Sequence, residues 1–183
     1  MSTEALILTI LGQDKPGIIA KVTGALFRLG CNLEDVSMTI LEDELAMILI
    51  VRPKSVKKLD QLQSEIQKFC RKEKLTAFWK PVKRKMARGE KHDRGAESYV
   101  ISVLGKDRTG IVHQVSQILF QNGINITDLN SRILGESAEA LYAMTLEADI
   151  KKDKLPVIQK ALSRLQSKLE IDIRINPVER IEM

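Results

Sequence analysis

The sequence predicts an α+β fold in which one βαββαβ unit is built twice. Two observations lead there: the chain repeats itself at a fixed offset, and strand-like and helix-like apolar patterns follow the same order in each copy. Residues 11–35, LGQDKPGIIAKVTGALFRLGCNLED, align without a gap on residues 104–128, LGKDRTGIVHQVSQILFQNGINITD, 93 positions later. Leu11/Leu104, Gly12/Gly105, Asp14/Asp107, Gly17/Gly110, Ile18/Ile111 and Val22/Val115 are identical pairs, as are Leu26/Leu119, Phe27/Phe120, Gly30/Gly123, Asn32/Asn125 and Asp35/Asp128.

Each copy opens on an apolar run, Ala5 to Leu11 or Tyr99 to Leu104, that reads as a buried strand ending at a glycine. Ile18, Val22, Leu26 and Leu29 then recur at helical spacing, as do Ile111, Val115, Ile118 and Leu119, with Gly30 and Gly123 where a helix C-terminal glycine belongs. A strand comes next in which Val36, Met38 and Ile40 alternate with Asp35, Ser37 and Thr39; Glu42-Asp43-Glu44 makes a turn, and Leu45 to Val51 is the next strand. Val56, Leu59, Leu62, Ile66 and Phe69 form a second amphipathic helix, matched by Leu155, Ile158, Leu162, Leu165 and Leu169. The last strands are Leu75 to Trp79 and Glu170 to Ile175, and both copies close on Pro-Val, at Pro81-Val82 and Pro177-Val178. This order predicts two ferredoxin-like domains, each an antiparallel sheet with both helices on one face, because right-handed crossovers leave few other topologies. The expected boundaries are 1–82 for the first domain, 83–97 for a basic linker and 98–183 for the second.

The chain has 183 residues, 44% apolar and 29% charged, a globular balance, and each half is long enough to bury its own core. Its longest apolar run, Leu45 to Val51, is far short of the ~18 residues of a membrane-spanning helix. Glu4 stands where a signal peptide would carry a basic residue, and two cysteines make no disulfide framework. A cytoplasmic protein with no membrane association is expected. The net charge of +5 is concentrated between Lys80 and Glu97, where Lys80, Lys83, Arg84, Lys85, Arg88, Lys91 and Arg94 face only Glu90, Asp93 and Glu97. A basic pI therefore describes one segment, which weakens a general argument for nucleic-acid binding.

The residues offer no catalytic constellation. His92 in the linker and His113 on a predicted helix are the two histidines, and their spacing from Cys31 and Cys70 resembles no zinc site. GxSxG, P-loop and GxGxxG motifs are absent. His113 aligns with Ala20 and reads as a surface residue, and Cys31 and Cys70 read as core thiols. No catalytic residue, metal or cofactor is expected.

The unusual feature is the turn between first strand and first helix, GQDKPGI and GKDRTGI. Its glycines suit close backbone approach, and it opens onto a helix N-terminus, whose free N–H groups favour an anion such as a carboxylate. Asp14 or Asp107 could accept from an ammonium group, and Asn32 and Asn125, beginning the neighbouring strand, bring both a donor and an acceptor. These groups suit a zwitterion. They suit equally a purely structural turn in which the aspartate caps the helix and the glycine shapes the loop, and the residues alone leave both open.

The Gly-x-Asp-[Lys/Arg]-x-Gly-Ile loop, the helix after it and the Gly-x-Asn-Ile/Leu strand start resemble the ACT domain, a small amino-acid-sensing module, over both repeats. Two copies with LGQDKPGI and GCNLED and nothing else resemble, more narrowly, the glycine cleavage system transcriptional repressor group; the first loop also resembles the ACT part of formyltetrahydrofolate deformylases, whose catalytic domain has no counterpart here. The resemblance implies ligand contacts by Asp14, Gly17, Ile18 and Asn32, and by Asp107, Gly110, Ile111 and Asn125, across a domain–domain interface. Thr109 departs from the pattern, taking the place that Pro16 holds in the first copy, which implies a looser or differently tuned second site.

The resemblance implies a non-enzymatic regulatory protein that senses a small amino acid, with glycine or serine suggested, and modulates a protein partner. In the repressor group that partner is a DNA-binding transcriptional activator, which fits the lack of a helix-turn-helix pattern; direct DNA binding is not expected. The alternatives are a regulatory subunit of an amino-acid biosynthetic enzyme, and nucleic-acid binding through the linker, which has no aromatic residue for base stacking. The two repeats are expected to pair, since open sheet edges and a helix-free face expose surface, with polar residues Asp35, Ser37, Thr39, Asp128, Asn130 and Arg132 at the joint and a homodimer as a further step.

Overall fold

The structure, a computed structural model, describes residues 5–54, 59–82, 95–135 and 140–178. The chain divides into two compact units, Met1–Met86 and Ala87–Met183. The first contains β1 (Leu6–Gln13), α1 (Ile18–Arg28), β2 (Cys31–Leu41), β3 (Glu44–Pro53), α2 (Leu59–Glu73) and β4 (Thr76–Pro81). The second contains β5 (Glu97–Lys106), α3 (Ile111–Gln121), β6 (Ile126–Leu134), β7 (Leu141–Ile150), α4 (Leu155–Leu169) and β8 (Asp172–Pro177). Both are four-stranded antiparallel sheets, in the orders β2-β3-β1-β4 and β6-β7-β5-β8. This is the ferredoxin-like fold the repeat predicts, twice over.

Period-two alternation in the strands and helical spacing in α1 and α2 converge on one side of the first sheet. Leu8, Ile10, Leu45, Met47 and Leu49 pack there with Ile18, Val22, Leu26, Leu62 and Ile66. The second unit has a separate core of the same design, with Ile101, Met144 and Leu146 under Ile111, Val115, Leu119, Ile158 and Leu162. His113 is exposed on α3.

Several element boundaries differ from the sequence pattern, three of them with a cause visible in the structure. β8 starts at Asp172 because Glu170 takes a left-handed conformation (φ 53°) that ends α4. β5 starts at Glu97, a residue assigned to the linker from sequence; it pairs with Ile150, accepts from the Tyr99 hydroxyl at 3.0 Å and meets Lys152 at 2.9 Å. The Lys152 ammonium and the Tyr99 hydroxyl hold the Glu97 carboxyl below its ordinary range. β1 runs on to Gln13 because Gly12 and Gln13 still pair with Leu45 and Glu44. Val56 and the linker residues 83–94, with most of the basic run and His92, lie outside the described residues.

The helix-free faces of the two sheets differ. On the first, the row across the centre is Ile48, Thr9 and Phe78, with Ile48 and Phe78 both exposed. On the second, the same row is Thr145, Ser102 and Arg174.

Cys70 is buried among α2's core residues, and burial pushes its thiol up to about 11; Cys31 is half-buried, its thiol shifted upward by the same cause. From thiolate fraction alone, Cys70 should react roughly a hundredfold more slowly than a free thiol at pH 8. Labelling with a chromogenic disulfide should give a slow phase that disappears in denaturant; two fast equivalents in the native protein would contradict the burial.

Candidate functional site

The two glycines of each loop do different jobs. Gly12 and Gly105 are packing glycines: a Cβ on Gly12, which also has a φ of 149°, would lie 2.8 Å from Leu75 Cδ2, and one on Gly105 would lie 2.5 Å from Ile171 Cγ2. Those neighbours precede β4 and β8, so close approach there lets the loop sit against the start of the last strand. Gly17 and Gly110 have room for a Cβ but take φ of 90° and 93°, which turns the chain into α1 and α3.

Both helices begin on these left-handed glycines with no side-chain cap. Neither Asp14 nor Asp107 caps its helix, so the purely structural reading of the aspartates finds no hydrogen bond to support it. Asp14 is held through its backbone, its N–H donating to the Asp43 carbonyl of the β2–β3 turn at 2.7 Å. The first amides of α1 are largely unclaimed: Ile18 donates weakly to Lys15 (3.3 Å) and Lys21 to Gly17 (2.9 Å), while Ile19 and Ala20 have no backbone acceptor among the described residues.

A cavity of about 500 Å³ opens beside these groups. The segment from Asp14 to Ala20 forms one side, and Met38 and Ile40 of β2 form the other. β2 is the edge strand. Register places Met38 opposite Met47 and Ile40 opposite Leu45, on the helix-covered face, yet they are 42% and 48% exposed because the edge lies beyond the helices' cover. A second cavity of about 520 Å³ lies between Ala20, Thr23, Gly24 and Phe27 of α1 and Cys31, Asn32 and Leu33 at the start of β2. Ala20 lines both.

The structure thus brings Asp14, Gly17 and Ile18 together and puts Asn32 in the adjoining cavity. Ile18 and Ile111 are 2% exposed, so what they could offer a ligand is backbone. In the second unit Gly110 and Ile111 stand as Gly17 and Ile18 do, Asp107 is in the turn before them, and Asn125 comes one residue before β6. Its loop is tied differently: Arg108 Nη2 donates to Glu170 Oε2 at 2.6 Å, and Gln114 Nε2 reaches the Gly110 carbonyl at 3.5 Å. Sequence reasoning missed Met38 and Ile40 as cavity residues. The signal was an apolar alternation on a strand that turns out to be the sheet edge.

Among the described residues no group of three or more His, Cys, Asp or Glu side chains could hold a metal ion, and no helix is long and apolar enough to cross a membrane.

The ACT domain profile matches residues 4–80 and 97–176. A UPF0237 protein of Streptococcus pneumoniae serotype 4 is 35% identical over 63 residues, 34% of this chain and 72% of the relative. One from Neisseria meningitidis serogroup A is 33% identical over 82 residues, 44% of this chain and 87% of the relative. Among solved structures, an unknown protein from Galdieria sulphuraria superposes with a TM-score of 0.82 at 22% identity, covering 97% of this chain and 99% of that one. A protein proposed to be a glycine cleavage system transcriptional repressor superposes with a TM-score of 0.72 at 18% identity, with the same coverage of each chain. At those identities the two structures establish the shared two-domain fold. With both repeats matched, the chain belongs to the ACT domain family.

Proposed function

We propose that this regulatory protein is a non-enzymatic sensor that binds a free amino acid in the first domain's loop cavity and passes the signal to a protein partner. The observation that carries the reading is the cavity between Asp14–Ala20 and β2, where groups complementary to both ends of a zwitterion share one wall. The Ile19 and Ala20 amides and the Lys15 ammonium suit the carboxylate; the Asp14 carboxylate suits the ammonium. That end of the site would serve glycine, serine or a larger amino acid alike. The resemblance to the repressor group supports a DNA-binding activator of the glycine cleavage genes as the partner, and co-purification from cells separates that from a biosynthetic enzyme as the partner.

A thermal-shift series on the full chain tests the site. An amino acid at a hundredfold excess over its Kd adds about 2.7 kcal/mol to the stability of the domain that binds it, which moves melting by several degrees. Asp14→Ala should abolish that shift, and Asn32→Ala should reduce it less, because Asn32 lines only the adjoining cavity. Asp107→Ala and Asn125→Ala should leave it intact. A shift that survives Asp14→Ala would place the ligand elsewhere.

A further inference from the structure

The apolar part of the same cavity's lining bears on which amino acid it takes. Beyond Asp14 and Lys15 the lining is apolar, with the Ile19 and Ala20 side chains on one side and Met38 and Ile40 on the other; Ile19 is 45% exposed and Met38 and Ile40 similarly so. No hydroxyl or amide side chain belongs to that wall. Thr23 lines the adjoining cavity instead, its hydroxyl donating to the Ile19 carbonyl at 2.8 Å. A serine hydroxyl directed there would give up water without gaining a partner. Glycine would leave the wall wet. An aliphatic side chain would cover it, with the zwitterionic end still matched by opposite charges at the mouth.

The second domain has a different surface at the corresponding positions. Ser131 replaces Met38 and His113 replaces Ala20, while Ile133 and Val112 keep the places of Ile40 and Ile19. The basic residue of its loop, Arg108, is paired with Glu170, whereas Lys15 has no ion-pair partner among the described residues. The corresponding surface is therefore partly polar, and the basic residue of its loop is already paired.

We propose that the first domain selects an amino acid with an aliphatic side chain, of valine, leucine, isoleucine or methionine type, and that the second domain does not. The proposal rests on the reading that the loop cavity holds an amino acid. Methylene groups in an apolar pocket discriminate by roughly tenfold or more each, so L-leucine should bind at least about tenfold more tightly than L-alanine, and more tightly still than glycine or L-serine.

The test is titration calorimetry of the full chain with L-leucine, L-isoleucine, L-valine, L-methionine, L-alanine, L-serine and glycine, repeated on Met38→Ser, which installs the second domain's residue. Met38 is exposed, so the variant should fold normally, as its melting curve will report. The expected result is one saturable site per chain for the aliphatic amino acids, weakened roughly tenfold by Met38→Ser, with alanine little changed. Glycine or serine binding as tightly as leucine would overturn this inference and leave the sensor reading standing. So would leucine affinity untouched by Met38→Ser. Binding by none of the seven would overturn both.

Discussion

Gly105→Ala should lower the melting temperature of the second domain by about 10–20 °C while the first domain's transition stays where it was. The added Cβ would sit 2.5 Å from Ile171 Cγ2, 2.9 Å from Ile171 Cβ and 3.1 Å from Ile171 Cα. A flexible tip could rotate away from the first contact. The Cα cannot move without moving the junction between α4 and β8, where Ile171 is itself only 4% exposed. Forcing a methyl into so tight a place costs about 1–3 kcal/mol, with this geometry near the upper end. For a unit of this size each kcal/mol is worth roughly 4–8 °C. Because the two cores share no residue, the effect should stay local. Differential scanning calorimetry would show one transition splitting away from the other; an unchanged profile would mean that the loop does not pack against Ile171.

Leu26→Ala should cost about 2–5 kcal/mol, and Phe27→Ala, one residue on, should stay within about 0.5 kcal/mol. Both residues are apolar, helical and identical in the second copy. Leu26 is 0% exposed inside the first core and Phe27 is 79% exposed at the end of the same helix. Removing the larger side chain is thus expected to matter less, because the aromatic ring's transfer from water never took place on folding. Urea unfolding of the two variants gives the comparison directly. A large loss for Phe27→Ala would mean that something covers this ring in solution.

The helical spacing that selects Ile18, Val22 and Leu26 and skips Phe27 is legible in the sequence, because packing against a sheet imposes that period on any helix. So were the four strands of the first copy, through alternation and through breaks at turn residues, and the repeat carries their order over to the second copy. The division of labour between the loop glycines was not. Identity across the repeat marks Gly105 and Gly110 alike, and only the neighbours in space separate a glycine kept for close packing from one kept for its φ. Asn32 shows the same limit: the repeat pairs it with Asn125, but only the positions in space show that it lines the adjoining cavity and not the one that Asp14 lines. Met38 and Ile40 read as one apolar face of a strand from their alternation. Alternation alone does not say that they lie on an edge strand, open beyond the helices' cover.

The two helix-free sheet faces carry a consequence for how the copies have diverged. A duplicated domain is free to change wherever folding does not need the ancestral residue. Here the core pairs Ile18/Ile111, Val22/Val115 and Leu26/Leu119 are identical while the row Ile48–Thr9–Phe78 on one copy stands against Thr145–Ser102–Arg174 on the other. Exposed isoleucine and phenylalanine on a flat sheet invite adhesion, and a copy free to lose them would gain solubility by doing so. One copy carries an apolar row on this face and the other a polar one. The pair is therefore asymmetric in kind: exchanging the two halves in a chimaera would preserve both folds and misplace both surfaces.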